Sequence, residues 1–91
     1  METYYDVTFK IEILSEFAAH LSTRYYKYAM RNGINTDDKS NAINKASTEA
    51  HSFIDRMLSC NSLEELKPFE TRLDEMKRDI ERRELSQLPQ R

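Results

Sequence analysis

SLEELKPFETRLDEMKRDIERREL, residues 62–85, is the longest run in the chain whose apolar residues keep a single helical period. Leu66, Phe69, Leu73, Met76 and Ile80 recur at steps of three and four, which places all of them on one stripe of an α-helix. Ser62 is a good N-cap, and Glu65 three positions on completes the pattern of a capping box. The charges follow the helix dipole, with Glu64, Glu65 and Glu70 early and Lys77, Arg78, Arg82 and Arg83 late. A helix with one apolar stripe and a charged remainder must bury that stripe, either against its own chain or against a second protein.

Working back to the start of the chain, residues 4–14 admit two readings. Tyr5, Val7, Phe9, Ile11 and Ile13 alternate with polar residues, the pattern of a strand. Val7, Ile11, Leu14, Ala18, Leu21, Tyr25 and Tyr28 instead fit one long helix. A lone strand leaves its backbone donors and acceptors unpaired, and no second alternating segment follows to pair with it, so helix is favoured over an extended N-terminal strand or arm. From Ser15 onward both readings are helical. Gly33 is placed to take the left-handed C′ position, with Ile34 as the accompanying hydrophobic contact.

Asn35, Thr36 or Asp37 is then expected to cap a second helix with the stripe Ile43, Ala46, Ala50, Phe53, Ile54, Met57 and Leu58. Its small residues, Ser47 and Thr48 among them, suit close antiparallel packing against the first helix. Pro68 is discordant, because a proline some six residues into a helix removes a hydrogen bond and disfavours the α conformation at Lys67. A kink is expected there, or a short turn followed by a helix that starts at Pro68. The expected fold is thus all-α, a small three-helix domain spanning residues 1–91, with helices near 6–32, 37–58 and 62–85 and a frayed tail at 86–91.

Ninety-one residues make one small domain that buries roughly 60 to 65% of its unfolded surface. With 38% hydrophobic and 33% charged residues, one Gly and two Pro, the composition suits helices better than a turn-rich sheet and is too apolar for disorder. A net charge of −2 provides no global attraction to nucleic acid. The single cysteine, Cys60, cannot form an internal disulfide, and no signal peptide or long apolar span is evident, so a reduced, cytoplasmic protein is expected, away from membranes.

No residue pattern in the sequence points to catalytic chemistry. His20 and His51 lack neighbours at ligand spacing, and no metal or cofactor is expected. The carboxylates of residues 62–85 alternate with Lys and Arg, as in the pairs Asp74–Arg78 and Asp79–Arg83, and read as a solvated ion-pair face rather than an acid–base site. There is no phosphate loop or nucleophile elbow, so an enzyme is not expected.

The run Arg24-Tyr-Tyr-Lys-Tyr-Ala-Met-Arg31 is the most suggestive local feature. Arg24, Tyr26, Lys27, Tyr28, Met30 and Arg31 form a candidate partner-binding face, since Tyr and Arg are enriched in interface hot spots. Phe9, Ile13 and Phe17, with Tyr26 and Met30, add more apolar surface than three helices of this size can bury, which points to a protein partner or a second copy. Two other readings stay open: a small dimeric DNA-associated regulator using Arg24, Lys27 and Arg31, and a helical adaptor whose dimer seam is Leu66 to Ile80. Lys67–Pro68 is the one prolyl bond inside the domain, and its place at a junction between elements makes it a candidate isomerisation switch open to a prolyl isomerase.

Asn61-Ser-Leu-Glu-Glu-Leu-Lys-Pro-Phe69 and the tyrosine-rich run from Arg24 to Arg31 give the chain a resemblance to the lambdoid-phage anti-RecBCD proteins. The resemblance implies a non-enzymatic, phage-encoded inhibitor that docks on the RecC subunit of a host helicase-nuclease in the host cytoplasm.

Overall fold

The computed structural model describes residues 3–87. They form α1 (Tyr4–Arg31), α2 (Ala42–Met57) and α3 (Leu63–Leu85), an all-α three-helix domain. Residues 4–14 are helical, which excludes the extended arm. Thr3 starts α1 with a full capping box: its Oγ1 accepts the Asp6 N–H at 3.2 Å, and the Asp6 carboxylate accepts the Thr3 N–H at 3.0 Å. A helix meets its own backbone demand where a solitary strand cannot, and it carries Val7 into the same buried stripe as Leu14, Ala18, Leu21, Tyr25 and Ala29.

The end of α1 is a Schellman turn. Gly33 has φ 68°, its N–H donates to Met30 O at 3.3 Å, and the Ile34 N–H donates to Ala29 O at 2.9 Å. Residues 37–41, expected as helix, are loop instead. Asn35 Oδ1 accepts the Asp37 N–H at 2.9 Å and Asp38 Oδ1 accepts the Ser40 N–H at 3.0 Å, so both side chains hold the backbone in turns that compete with helix. The cap of α2 is Asn41, which accepts from the Ile43 N–H at 2.8 Å, rather than Asn35, Thr36 or Asp37. Asn44, the one buried polar residue among the described residues, donates from Nδ2 to the carbonyls of Asn35 and Asp38, both at 2.8 Å, and so ties this loop to α2.

At the start of α3, Ser62 Oγ accepts the Glu65 N–H at 3.1 Å, but the Glu65 carboxylate accepts from the Asn61 N–H at 3.4 Å, so the expected box is only half made. Pro68 neither breaks nor begins this helix; α3 runs continuously through it. The proline sits on the exposed face in the second turn, where the carbonyl that it leaves unpaired, that of Glu64, can turn to water. Lys67–Pro68 is therefore not a junction between elements, and the basis for an isomerisation switch is removed.

The three helices run up, down and up, with α1 in the centre. Near the middle of α1, Ser22 Oγ donates to Ser47 O and Ser47 Oγ donates to Ser22 O, each at 2.9 Å, drawing antiparallel α2 close. Parallel α3 is joined by Lys10–Glu70 at 2.7 Å near one end and by Tyr25–Asp79 at 2.8 Å near the other. The core joins the α1 stripe to Ile43, Ala50, Phe53 and Met57 of α2 and Leu66, Leu73, Met76 and Ile80 of α3. Leu58, expected in this stripe, is exposed because it follows the last turn of α2. Phe69 is half-buried, edge-on to Phe53 at 5.1 Å, with the Arg56 guanidinium 5.3 Å from both rings. Since α2 and α3 lie on α1 and meet each other least, the domain is flat, 51 × 32 × 16 Å, and the far face of α1 stays uncovered.

Candidate functional site

The uncovered face of α1 carries Tyr5, Phe9 and Ile13, which are 81%, 64% and 45% exposed. Steps of four residues advance 400° around a helix, so the three side chains form one slightly slanting stripe opposite the core. Exposed Glu12 and Glu16 flank it. The one cation of this half, Lys10, is turned to Glu70, leaving the rim acidic. Tyr4, edge-on to Tyr5 at 6.0 Å, continues the apolar surface around the helix start, where it shares a shallow groove with Ile11, Leu58 and Cys60. Phe17, grouped with Phe9 and Ile13 on the sequence, is half-buried against the core. Tyr4 and Tyr5 were hidden by the alternating pattern; the Thr3-x-x-Asp6 box, which dictates a helix and turns them outward, was the signal that could have found them.

The structure divides the predicted Arg24–Arg31 face. Arg24 and Tyr28 turn toward α3, where Arg24 pairs with Glu84 and the Tyr28 hydroxyl accepts from Gln87 at 3.3 Å. Tyr26 and Met30, 47% and 59% exposed, lie on the other flank, and Lys27 and Arg31 project between them into solvent. Of Arg24, Lys27 and Arg31, the first is tied to Glu84, which leaves Lys27 and Arg31 without a carboxylate partner. The adaptor seam from Leu66 to Ile80 is absent too, because Leu66, Leu73, Met76 and Ile80 lie in the chain's own core.

Beneath the surface, one polar site fixes α1 to α3. The Tyr25 hydroxyl lies 2.8 Å from Asp79 and 3.0 Å from Met76 O, while Arg82 and Arg83 donate to the same carboxylate at 3.2 and 3.0 Å. Burial works against ionised Asp79, but the hydrogen bonds from Tyr25, Arg83 and Arg82 outweigh it and hold the carboxyl below its usual range. Burial, followed by the bond to Asp79, pushes the Tyr25 phenol well up. Of the ion pairs expected on α3, Asp79–Arg83 forms, but as part of this half-buried site rather than a solvated face. Every buried side-chain polar atom among the described residues has a partner.

His20 and His51 are exposed on different helices, and no group of His, Cys, Asp and Glu among the described residues could hold a metal ion. Burial and the nearby Glu65 carboxylate push the Cys60 thiol up, away from the thiolate that nucleophilic chemistry needs. No described helix is long and apolar enough to cross a membrane.

Fold and surface together define a small helical protein with large apolar side chains exposed along one long helix. A family model described as bacterial epsilon antitoxin matches residues 3–82, and the chain belongs to that family. No curated protein and no solved structure matches it. The match overturns the resemblance to lambdoid-phage anti-RecBCD proteins, and with it the phage origin, the RecC partner and the link to recombination. The stretches behind that resemblance are a capped helix start and the second half of α1, features any helical domain can carry. A prolyl isomerase has no support as a partner. The coarser expectation, an inhibitor that works by binding protein, agrees with the family.

Proposed function

We propose that this chain is a non-enzymatic antitoxin that binds a zeta toxin and blocks it through the outer face of the first half of α1. The observation that carries this reading is the stripe Tyr5, Phe9 and Ile13, large apolar side chains held in water by a capped helix whose opposite face is the core of the domain. Their exposure costs solubility and adds nothing to the fold, whereas buried in a toxin groove they are anchors, and the carboxylates Glu12 and Glu16 suit a basic rim on that groove. A bacterial cytoplasm is the compartment this reading requires, and the unpaired Cys60 thiol suits a reducing one. Pairing of two copies, which the family is known for, must use a face other than the buried Leu66 to Ile80 stripe.

The test is co-expression with a zeta toxin, followed by titration of the purified proteins. Wild type restores growth, and the double variant Phe9→Glu/Ile13→Glu fails to do so. Truncating an interface anchor costs about 2 kcal/mol or more, so the double variant weakens binding by at least about 100-fold. Full neutralisation by a double variant whose melting temperature is unchanged refutes the assignment of the face.

A further inference from the structure

The near-balanced charge of the chain conceals a separation. The carboxylates of α1, Asp6, Glu12 and Glu16, all lie in its first half, and no Asp or Glu occurs from Phe17 to Thr36. Among the described residues, Lys10, Arg24, Lys67, Arg72, Lys77, Arg82 and Arg83 each meet a carboxylate, and Arg56 covers two phenylalanine rings. Lys27, Arg31, Lys39, Lys45 and Arg78 have no such partner; Arg78 lies apart on α3, and the other four lie at one end of the domain, where α1 stops, the loop passes and α2 begins. Lys39 and Lys45 line a shallow groove together with Tyr26, Thr36, Thr48, Ser52 and one acid, Glu49. The acids nearby are accounted for. Glu84 is bound to Arg24, Glu49 to Arg72 at 2.9 Å, and Asp38 is turned into its own loop by Ser40. Asp37 and Asp38 have no cation partner, and against the four free cations they still leave this end net positive on a negative chain.

We propose that this end is a second binding surface, separate from the toxin face, which takes single-stranded nucleic acid: the cations meet successive phosphates, and a base stacks on the exposed Tyr26 ring. Charge complementarity calls for a polyanion, and the ring narrows the class. An aromatic face flanked by cations stacks on any unpaired base, whereas it adds nothing for the carboxylates of an acidic peptide, and a duplex keeps its base faces covered. The hydroxyls of Thr36 and Thr48 in the same groove are further donors to phosphate oxygens.

Fluorescence anisotropy of the full chain with a labelled single-stranded oligothymidine of about 20 nucleotides tests the assignment. Contact with four phosphates gives a slope of log K against log salt of about −2.8, a loss of roughly 50-fold between about 50 and 200 mM salt. Lys39→Gln/Lys45→Gln should about halve that slope. Tyr26→Ala should weaken binding about tenfold with the slope unchanged, since stacking is not electrostatic. Arg78→Gln on α3 should do neither. All these side chains are exposed, so the variants should keep the wild-type melting temperature. No binding at about 50 mM salt overturns the proposal, as does a slope that Lys39→Gln/Lys45→Gln leaves unaltered. Polyglutamate that competes as well as the oligonucleotide, with Tyr26→Ala silent, also overturns it and assigns the end to an acidic protein. Toxin neutralisation is read separately, so either reading can fail alone.

Discussion

Replacing Tyr25 by Phe removes one oxygen from the site that joins α1 to α3 and keeps the ring that fills the core. Tyr25 is 1% exposed, with its hydroxyl 2.8 Å from Asp79 and 3.0 Å from Met76 O. The Met76 carbonyl keeps its intrahelical partner in the variant, so what is lost is chiefly a bond to a carboxylate, a kind that contributes about 1.5–3 kcal/mol. The Asp79 side chain is 29% exposed and retains Arg82 and Arg83, which places the loss at the low end, about 1.5 kcal/mol near neutral pH. In a domain of this size that lowers Tm by about 6–12 °C.

The pH profile is more discriminating. Asp79, depressed in the folded state, stabilises the fold above its unfolded pKa, and that contribution is lost as pH falls through the folded value. The Tyr25 phenol, raised in the folded state, stabilises below its unfolded pKa of about 10, and that contribution is lost as pH rises beyond it. The gap between wild type and Tyr25→Phe is therefore widest between about pH 5 and 9 and narrows on both sides. Urea unfolding at about pH 3, 7 and 10.5 measures it. A gap under about 0.5 kcal/mol at neutral pH, or one that stays constant with pH, refutes the reasoning.

Pro68→Ala restores a backbone hydrogen bond in the exposed second turn of α3 and is expected to raise stability by about 1 kcal/mol or more, with toxin neutralisation unchanged; a lower Tm would show that the proline is favourable where it stands. Leu73→Ala, at a fully buried position, is expected to cost about 2–5 kcal/mol, whereas Phe9→Ala, on the open face, should stay within about 0.5 kcal/mol and lose affinity instead; chemical unfolding of both variants checks the contrast. The Arg72–Glu49 pair is partly exposed, so Arg72→Ala is expected to cost under about 1 kcal/mol. The hydrogen bond from Arg72 lowers the Glu49 pKa, so this small difference should vanish as pH falls through the carboxylate range, as acid unfolding of wild type and variant will show.

The periodicity of α1 and α3, the serine cap at residue 62, the Gly33 turn and the surplus apolar surface of α1 were legible along the chain, because each depends on neighbours within a few residues. The start of α2 was misplaced because Asn35 and Asp38 bond to their own backbone and Asn44 anchors the loop from within α2, a contact no local pattern displays. Pro68 was overread, since its cost depends on whether the carbonyl one turn back is buried or wet. The Arg24–Arg31 run did not display the directions of its side chains: Arg24 and Tyr28 serve α3, and Tyr26 and Met30 face elsewhere.

By itself, then, the sequence determined that the chain forms three helices and which stripe of each is apolar, though not where α2 starts, because side-chain spacing is local and the anchoring of the loop is not. The tertiary structure alone decided which apolar stripe stays open. With α2 and α3 laid on α1 and barely on each other, the Leu66 to Ile80 stripe is buried and Tyr5, Phe9 and Ile13 are left facing water.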